Sequence, residues 1–366
     1  MFLKELSLTN YKNFENIKFN FDTKIVCFVG LNGVGKTNIL DSIYHLSYTK
    51  SYFNPIPSQN IKHGETFFFI SGTYNINEKE ENILISIKKG DKKRVKRNNK
   101  LYKKFSEHIG FIPLVIISPD DRNLIIEGSE TRRKFIDGII SQTDKEYLNS
   151  LIDYNKTLKQ RNALLKMFYN NSENIKNTID IYDEKLSLSA NKIFEKRAEF
   201  LSDFIPIFKK RYKQLSNDKE SVELTYKSDI SKTQNLYELL KNNLEKDLKF
   251  QYTTKGIHKD DLVFTINDFS VKKYGSQGQQ KTFLISLKLA QFDYLSKLKS
   301  YPILLLDDIF DKLDDNRVKQ VIDLVNKDEF NQIFISDTNK SRSENIIKKV
   351  NKSYKIFEIW KILITS

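Results

Sequence analysis

With 366 residues, 39% apolar and 30% charged, the chain predicts about two domains and enough apolar surface for packed cores, which excludes wholesale disorder. Its longest aliphatic runs, such as Ile303–Leu306, are far too short to cross a bilayer. Its one cysteine, Cys27, excludes an internal disulfide framework, and Met1-Phe2-Leu3-Lys4-Glu5 opens without the apolar stretch of a secretory signal. With 61 Lys and Arg against 47 Asp and Glu, the formal charge of +14 favours a polyanionic partner, and the expectation is a soluble, cytoplasmic protein with no membrane partner.

In chain order, Phe2–Phe21 reads as strands, because Leu6, Leu8, Phe19 and Phe21 alternate with polar residues around a turn at Asn13–Asn16. Ile25–Val29 is a short β-branched run ending in Gly30, the pattern of a buried strand, and Thr37–Ser47 follows with helical spacing of Ile39, Leu40, Ile43 and Leu46. Phe67–Ser71, Ile83–Lys88 and Arg94–Arg97 read as strands, with turns at Lys89-Gly90-Asp91 and Asn98-Asn99-Lys100. Leu114–Ile117 is a further buried strand, broken by Pro119. From residue 121 to 250 the texture is helical. Leu151, Leu158 and Leu165 repeat every seven residues, and Ile179, Tyr182, Leu186, Ile193, Phe200, Phe204 and Phe208 recur at spacings of three and four. The polar stretch Asn170–Asn174 between the two runs predicts an antiparallel helix pair. After residue 252 the mixed texture returns, with a helix at Lys281–Leu298, a strand at Ile303–Leu306, a helix at Val318–Val325 and a strand at Gln332–Ile335.

Gly30-Leu31-Asn32-Gly33-Val34-Gly35-Lys36-Thr37 matches G-x-x-x-x-G-K-[ST] in full, between an apolar strand and a helix. The glycines let backbone N–H groups converge on phosphate oxygens without Cβ clashes, and the helix that starts there turns its positive end to the phosphates. Lys36 would reach the β- and γ-phosphates and Thr37 would ligate Mg²⁺. Ile303–Leu306 runs into Asp307-Asp308, and a strand end beside a phosphate loop is where a metal-directed carboxylate is needed. Asp307 is assigned to the metal through water, and Asp308 to orienting or deprotonating the attacking water. Ser276-Gln277-Gly278-Gln279-Gln280 opens the helix before that strand. Ser276 suits an N-cap and Gly278 leaves the backbone open, so the segment is either an ordinary capped helix or a γ-phosphate contact.

The order of these motifs resembles the ABC-type ATPase head of the SMC class. The fold this implies is α/β, a P-loop head built from 1–120 and 251–366, with a helical lobe, a short antiparallel arm, inserted at 121–250. A helix of 30 residues reaches about 45 Å, far short of an SMC coiled coil. In that class two heads sandwich two ATP molecules, so the resemblance implies that Ser276, Gly278 and Gln279 contact the nucleotide of a partner head, with Asp311–Asp314 as the D-loop between subunits. The chain departs from the class at Ser336-Asp337-Thr338, where many such heads carry a histidine, and no Q-loop glutamine is assigned.

The resemblance narrows to the RecF family. It rests on Leu6–Phe14, on the loop Gly30–Asn38, and on Ser118-Pro119-Asp120-Asp121 followed by Gly128 and Arg132–Asp137. Gly256–Leu262, Ser276–Thr282 and Leu305–Phe310 complete it. It implies ATP and Mg²⁺ as cofactors, with Asn38 part of the nucleotide site and Lys36 and Asp308 acting in a weak, DNA-stimulated ATPase. It also implies an ATP-dependent homodimer and binding to double-stranded DNA, duplex/single-strand junctions included. The partners implied are the RecO and RecR proteins, and the role is recombinase loading at gapped DNA in replication, repair and the SOS response. A membrane-transporter-type ABC ATPase, which would not need the insert, and an ATP-binding clamp with negligible turnover are the alternatives.

Lys88–Lys104 carries ten basic residues against one acid, Asp91. On a hairpin Arg94 and Lys96 share a face. With Lys92, Lys93 and Arg97 they form either a sequence-independent phosphate contact or a solvated, charge-protected edge. Only ten of the basic residues are Arg and Ala occurs four times, a Lys- and Asn-rich bias that also fits an A+T-rich genome. Arg132, Arg133 and Lys134 read as a second phosphate contact or as partners of Asp137 and Glu130. His258 reads as a functional or a structural loop histidine, and Cys27 as packed and inert.

Overall fold

The computed structural model describes residues 1–168, 176–216, 218, 220–231, 234–298, 301–308, 332–348 and 353–360. The expected D-loop at Asp311–Asp314, the helix expected at Val318–Val325 and the polar break Asn170–Asn174 lie outside them. The strands are β1 Phe2–Tyr11, β2 Phe14–Asn20, β3 Ile25–Val29, β4 Phe67–Ile76, β5 Lys79–Lys88, β6 Arg94–Arg97, β7 Lys100–Leu101 and β8 Leu114–Ile117. They continue as β9 Val222–Lys227, β10 Asp261–Ile266, β11 Phe269–Ser270, β12 Ile303–Asp307, β13 Ile333–Asp337 and β14 Tyr354–Glu358. They fall into two compact units, Met1–Asp121 with Gln291–Ser366, and Arg122–Ala290.

The first unit carries two sheets. One is antiparallel, in the order β2-β1-β4-β5-β6-β7, and the other is wholly parallel, in the order β14-β3-β13-β12-β8. The β1 register shifts between Leu3 and Glu5, which is why Leu3, Leu6 and Leu8 are all buried despite an odd spacing. Phe19 of β2 and Phe21 just after it meet Phe28 of β3, Phe334 of β13 and Phe357 of β14 edge-on, and this aromatic cluster joins the two sheets. Gln332, fully buried, accepts from the Leu3 N–H at 2.8 Å and donates to the Leu3 carbonyl at 3.1 Å, tying β1 to the start of β13. Helix Lys36–Tyr48 buries Ile39, Leu40, Ile43 and Leu46 in the same core. Because the parallel strands all run one way, the C-terminal ends of β3, β8, β12 and β13 gather at one edge, where α/β sheets hold their ligands.

The second unit is built on helices Ser129–Thr143, Lys145–Met167 and Lys176–Ser216. Asp144 caps the second, accepting from the Tyr147 N–H at 2.9 Å. Arg161 meets Asp183 and Tyr147 meets Arg197, so the two longer helices run antiparallel, as the pattern predicts. Of the expected run Leu165 is buried, while Leu151 and Leu158 are half-buried beside a second seam, Tyr147, Tyr154 and Arg161, buried at heptad spacing.

The expected boundary at residue 251 also moves, because residues 251–290 group with the helical unit. Their strand β10 pairs along its length with β9, and Asp260 and Asp261 bond Arg197 and Arg132. Among the described residues no helix is long and apolar enough to cross a membrane.

Candidate functional site

At the parallel sheet's ligand edge, β3 delivers Gly30 into the loop and Gly35 opens helix Lys36–Tyr48. Gly35 has φ +106, and a Cβ on it would lie 2.4 Å from the Asn13 side chain, so only glycine fits. A Cβ on Gly30 would lie 2.3 Å from the Ile359 carbonyl, so that position is closed to side chains as well. Leu31, Asn32 and Gly33 are exposed, Leu31 at 71%, while Val34 is buried beneath them. No side chain caps the helix, which leaves its first N–H groups without the usual Ser or Asp partner. Lys36, only 4% exposed, folds back and donates to the Gly30 and Leu31 carbonyls at 2.8 and 2.9 Å. A buried ammonium held by neutral carbonyls beside uncapped N–H groups makes a cradle for an anion.

Thr37, the next residue, donates to Asp307 Oδ1 at 2.9 Å across the sheet edge. Ser336, at the matching register of the intervening strand β13, donates to the same oxygen at 2.7 Å. Burial pushes the Asp307 carboxyl up, the two hydroxyl bonds oppose this, and Asp308 and Asp120 nearby add to the rise. Asp308 follows with φ +46, its N–H donated to Ser336 Oγ at 2.9 Å. Among the described residues no cluster of three or more His, Cys, Asp or Glu could hold a metal by itself. Thr37 and Asp307 suit Mg²⁺, which takes one or two protein oxygens together with nucleotide phosphates.

Sequence reasoning missed two residues. Asn13, in the β1–β2 turn, donates to the Val34 carbonyl at 3.0 Å and accepts from Asn38 at 2.7 Å. Asn38 is thereby tied to Asn13 and shares the holding of the loop. Ser336 is the other, and its place at a strand end beside the acidic strand was the available signal. Asp337, in the segment where many heads of the class carry a histidine, is fully buried and bonded to Arg342 at 2.5 Å and to the Ser343 hydroxyl.

Within the second unit, Ser276 and Gln279 form a reciprocal capping box. The Gln279 N–H donates to Ser276 Oγ at 3.2 Å and the Ser276 N–H to Gln279 Oε1 at 2.7 Å. Gln279 also donates to Glu220 at 2.7 Å, which engages it internally, while Ser276 is exposed and Gly278 half-exposed at the helix start Gln277–Leu298.

His258 accepts from Tyr154 at 2.7 Å and donates to the Thr253 carbonyl at 3.0 Å. Burial holds it neutral, pushed down to about 4, which is a structural arrangement. Arg132 pairs with Asp261 at 2.7 Å and Lys134 with Glu130 at 2.7 Å. Arg133 donates to Ser129 and to the Asp260 carbonyl, while Asp137 is taken by Arg197 at 2.9 Å. Cys27 is buried, its thiol pushed up to about 12, as expected of an inert packing residue.

The basic hairpin sorts into two sets. Val95 is buried, and Arg94 and Lys96 lie on the opposite face; Lys92 and Arg94 are exposed and Lys96 half-exposed. Lys93 and Arg97 instead turn inward. Lys93 donates to the Thr49 carbonyl and lies 4.6 Å from the Phe105 ring, with burial lowering it to about 8. Arg97 grips Glu81 with bonds of 2.8 and 2.7 Å and stacks on Phe111 at 3.9 Å. Lys93, just before β6, and Arg97 share the side of Val95, which brings both against protein partners.

The sequence profile of the RecF/RecN/SMC N terminal domain matches residues 2–361. The chain is 56% identical over 360 residues to the DNA replication and repair protein RecF of Flavobacterium johnsoniae, covering 98% of this chain and 100% of that one. It is 48% identical to the RecF of Phocaeicola vulgatus, over 98% and 96% of the two chains. The solved structure of the recombination mediator protein RecF with ATP matches with TM-score 0.88 at 33% identity, over 98% of this chain and 96% of that one. A Smc head domain from Pyrococcus furiosus matches with TM-score 0.57 at 16% identity, a likeness of fold alone. A family match over residues 2–361 and full-length relatives of this identity show that the chain belongs to the RecF family.

Proposed function

We propose that the chain is an ATP-dependent DNA-binding protein of replication and recombinational repair. Mg-ATP closes two heads into a head-to-tail dimer on duplex DNA, and hydrolysis releases it. The observation that carries the reading is the sheet edge itself, where the Lys36 ammonium, the uncapped helix start and the Thr37–Asp307–Ser336 cluster meet. The likeness to a RecF solved with ATP supports ATP as the ligand. Lys36 and the loop N–H groups hold the phosphates, and Thr37 and Asp307 hold Mg²⁺, which supplies charge neutralisation at the phosphoryl oxygens. Asp308 takes or orients the proton of the attacking water. Ser276, exposed, and Gly278, half-exposed, stand at their helix start to meet a partner's nucleotide. Lys92, Arg94 and Lys96 supply sequence-independent phosphate contacts.

A clamp with negligible turnover is the second reading, favoured by Asp337, which is locked to Arg342 and Ser343 where many heads of the class carry a histidine. Light-scattering mass with and without Mg-ATP tests the assembly step on Asp308→Asn, which traps nucleotide. The mass doubles with ATP, and adding Ser276→Arg abolishes the doubling while ATP binding persists. A single mass under saturating ATP would sink the dimer reading. Loading at gapped DNA with RecO and RecR belongs to the same proposal and follows family likeness.

A further inference from the structure

We infer that Ser336 is a positioning residue for the metal-nucleotide site, one hydroxyl fixing both Asp307 and Asp308. The inference rests on the ATPase reading above and names a residue that the motifs do not include. Ser336 is fully buried, on the strand that lies between the phosphate-loop strand β3 and the acidic strand β12, at the register directly opposite Asp307. Its proton assignment is forced. The Asp308 backbone N–H at 2.9 Å can only donate, so Ser336 Oγ accepts there, and its own proton goes to Asp307 Oδ1 at 2.7 Å.

The two bonds do different work. The bond to Asp307 sets the orientation of a carboxylate that is 3% exposed. The bond from Asp308 secures a residue at φ +46, a region that L side chains adopt uncommonly, where β12 ends. Thr37 also donates to Asp307 Oδ1, at 2.9 Å, but Thr37 is the hydroxyl that a phosphate loop offers to the cation. Ser336 has no such second duty, so it keeps Asp307 oriented whether or not the cation is bound. Outer-shell hydrogen bonds of this kind tune metal affinity as well as turnover.

The test compares Ser336→Ala, which removes both bonds, with Ser336→Thr, which keeps the hydroxyl. Three readouts are taken on the full chain: affinity for a fluorescent ATP analogue without metal, Mn²⁺ binding to the nucleotide-loaded protein by electron paramagnetic resonance, and kcat with KM. Ser336→Ala is expected to hold the metal-free nucleotide affinity, weaken Mn²⁺ binding by about 10- to 100-fold and lower kcat more than it changes KM. Ser336→Thr is expected to restore both. Unchanged Mn²⁺ affinity in Ser336→Ala overturns the inference. So does a variant that loses metal-free nucleotide binding along with the rest, since Ser336 would then merely support the fold. If wild type itself binds no ATP, the ATPase reading fails instead.

Discussion

Arg161 and Lys36 are both buried cations, at 0% and 4% exposure, and they have opposite company. In the helical unit, Arg161 meets Asp183 at 2.5 Å, Asp247 at 2.6 Å and Thr253 at 3.0 Å. Arg197 is held in the same way by Asp137, Asp260 and the Ile257 carbonyl. In the other unit, Lys36 meets only carbonyl oxygens among the described residues, and Asp307 accepts bonds from two hydroxyls and lies near two further carboxylates. The difference teaches that burial of charge alone is no sign of function. A cation already matched with anions is part of the scaffold, whereas a cation matched with neutral oxygens beside a glycine loop is set for an anion that arrives from outside.

Breaking the scaffold side of this comparison has the largest expected effect. Arg161→Met leaves Asp183 and Asp247 buried without their cation and should cost about 3–5 kcal/mol in urea unfolding. A loss under 1 kcal/mol, on the order of a surface pair, would show that the network is not structural.

Acid tests the scaffold more gently. His258 is neutral in the folded chain, pushed from its ordinary 6.5 to about 4 by burial. Between those values the unfolded chain binds a proton that the folded chain does not, so stability falls as pH drops from 6.5 toward 4. The contribution is up to roughly 3 kcal/mol, and His258→Gln should flatten the slope across that window. An unaltered slope would mean that other groups carry the acid sensitivity.

On the site side, Lys36→Met should weaken ATP binding by about 100-fold while leaving the melting temperature within a few degrees. Equal losses of stability and affinity would erase the contrast with Arg161. The smallest effects are at the hairpin. Arg94→Gln and Lys96→Gln should each lower the salt dependence of DNA binding by about one unit of slope, whereas Arg97→Gln should act on stability instead. A salt slope that moves only with Arg97 would reverse the sorting of the two faces.

Much of the head was legible because its signals are local. The loop Gly30–Thr37, the acidic strand end and the five-residue buried strands are contiguous patterns, each imposed by one backbone geometry. What stayed hidden depends on pairing at a distance. Strand β9 at Val222–Lys227 lies in a stretch of helical texture and is fixed by β10, some forty residues later, which is also why residues 251–290 group with the helical unit. Arg161 occupies a seam position where periodicity expects an apolar residue, because Asp183 and Asp247 come from other segments. Glu81 disarms Arg97 across the hairpin, a contact that composition cannot foresee. The Ser-x-x-Gln spacing of Ser276 and Gln279 was readable as a capping box, and it explains Gln279 without a ligand.

The measurement that tests the account most directly is fluorescence anisotropy of duplex DNA with the Asp308→Asn variant, titrated across salt with and without Mg-ATP. The account predicts tighter binding with nucleotide and a steep weakening as salt rises. DNA binding that is absent in both conditions, or identical in both, would contradict it.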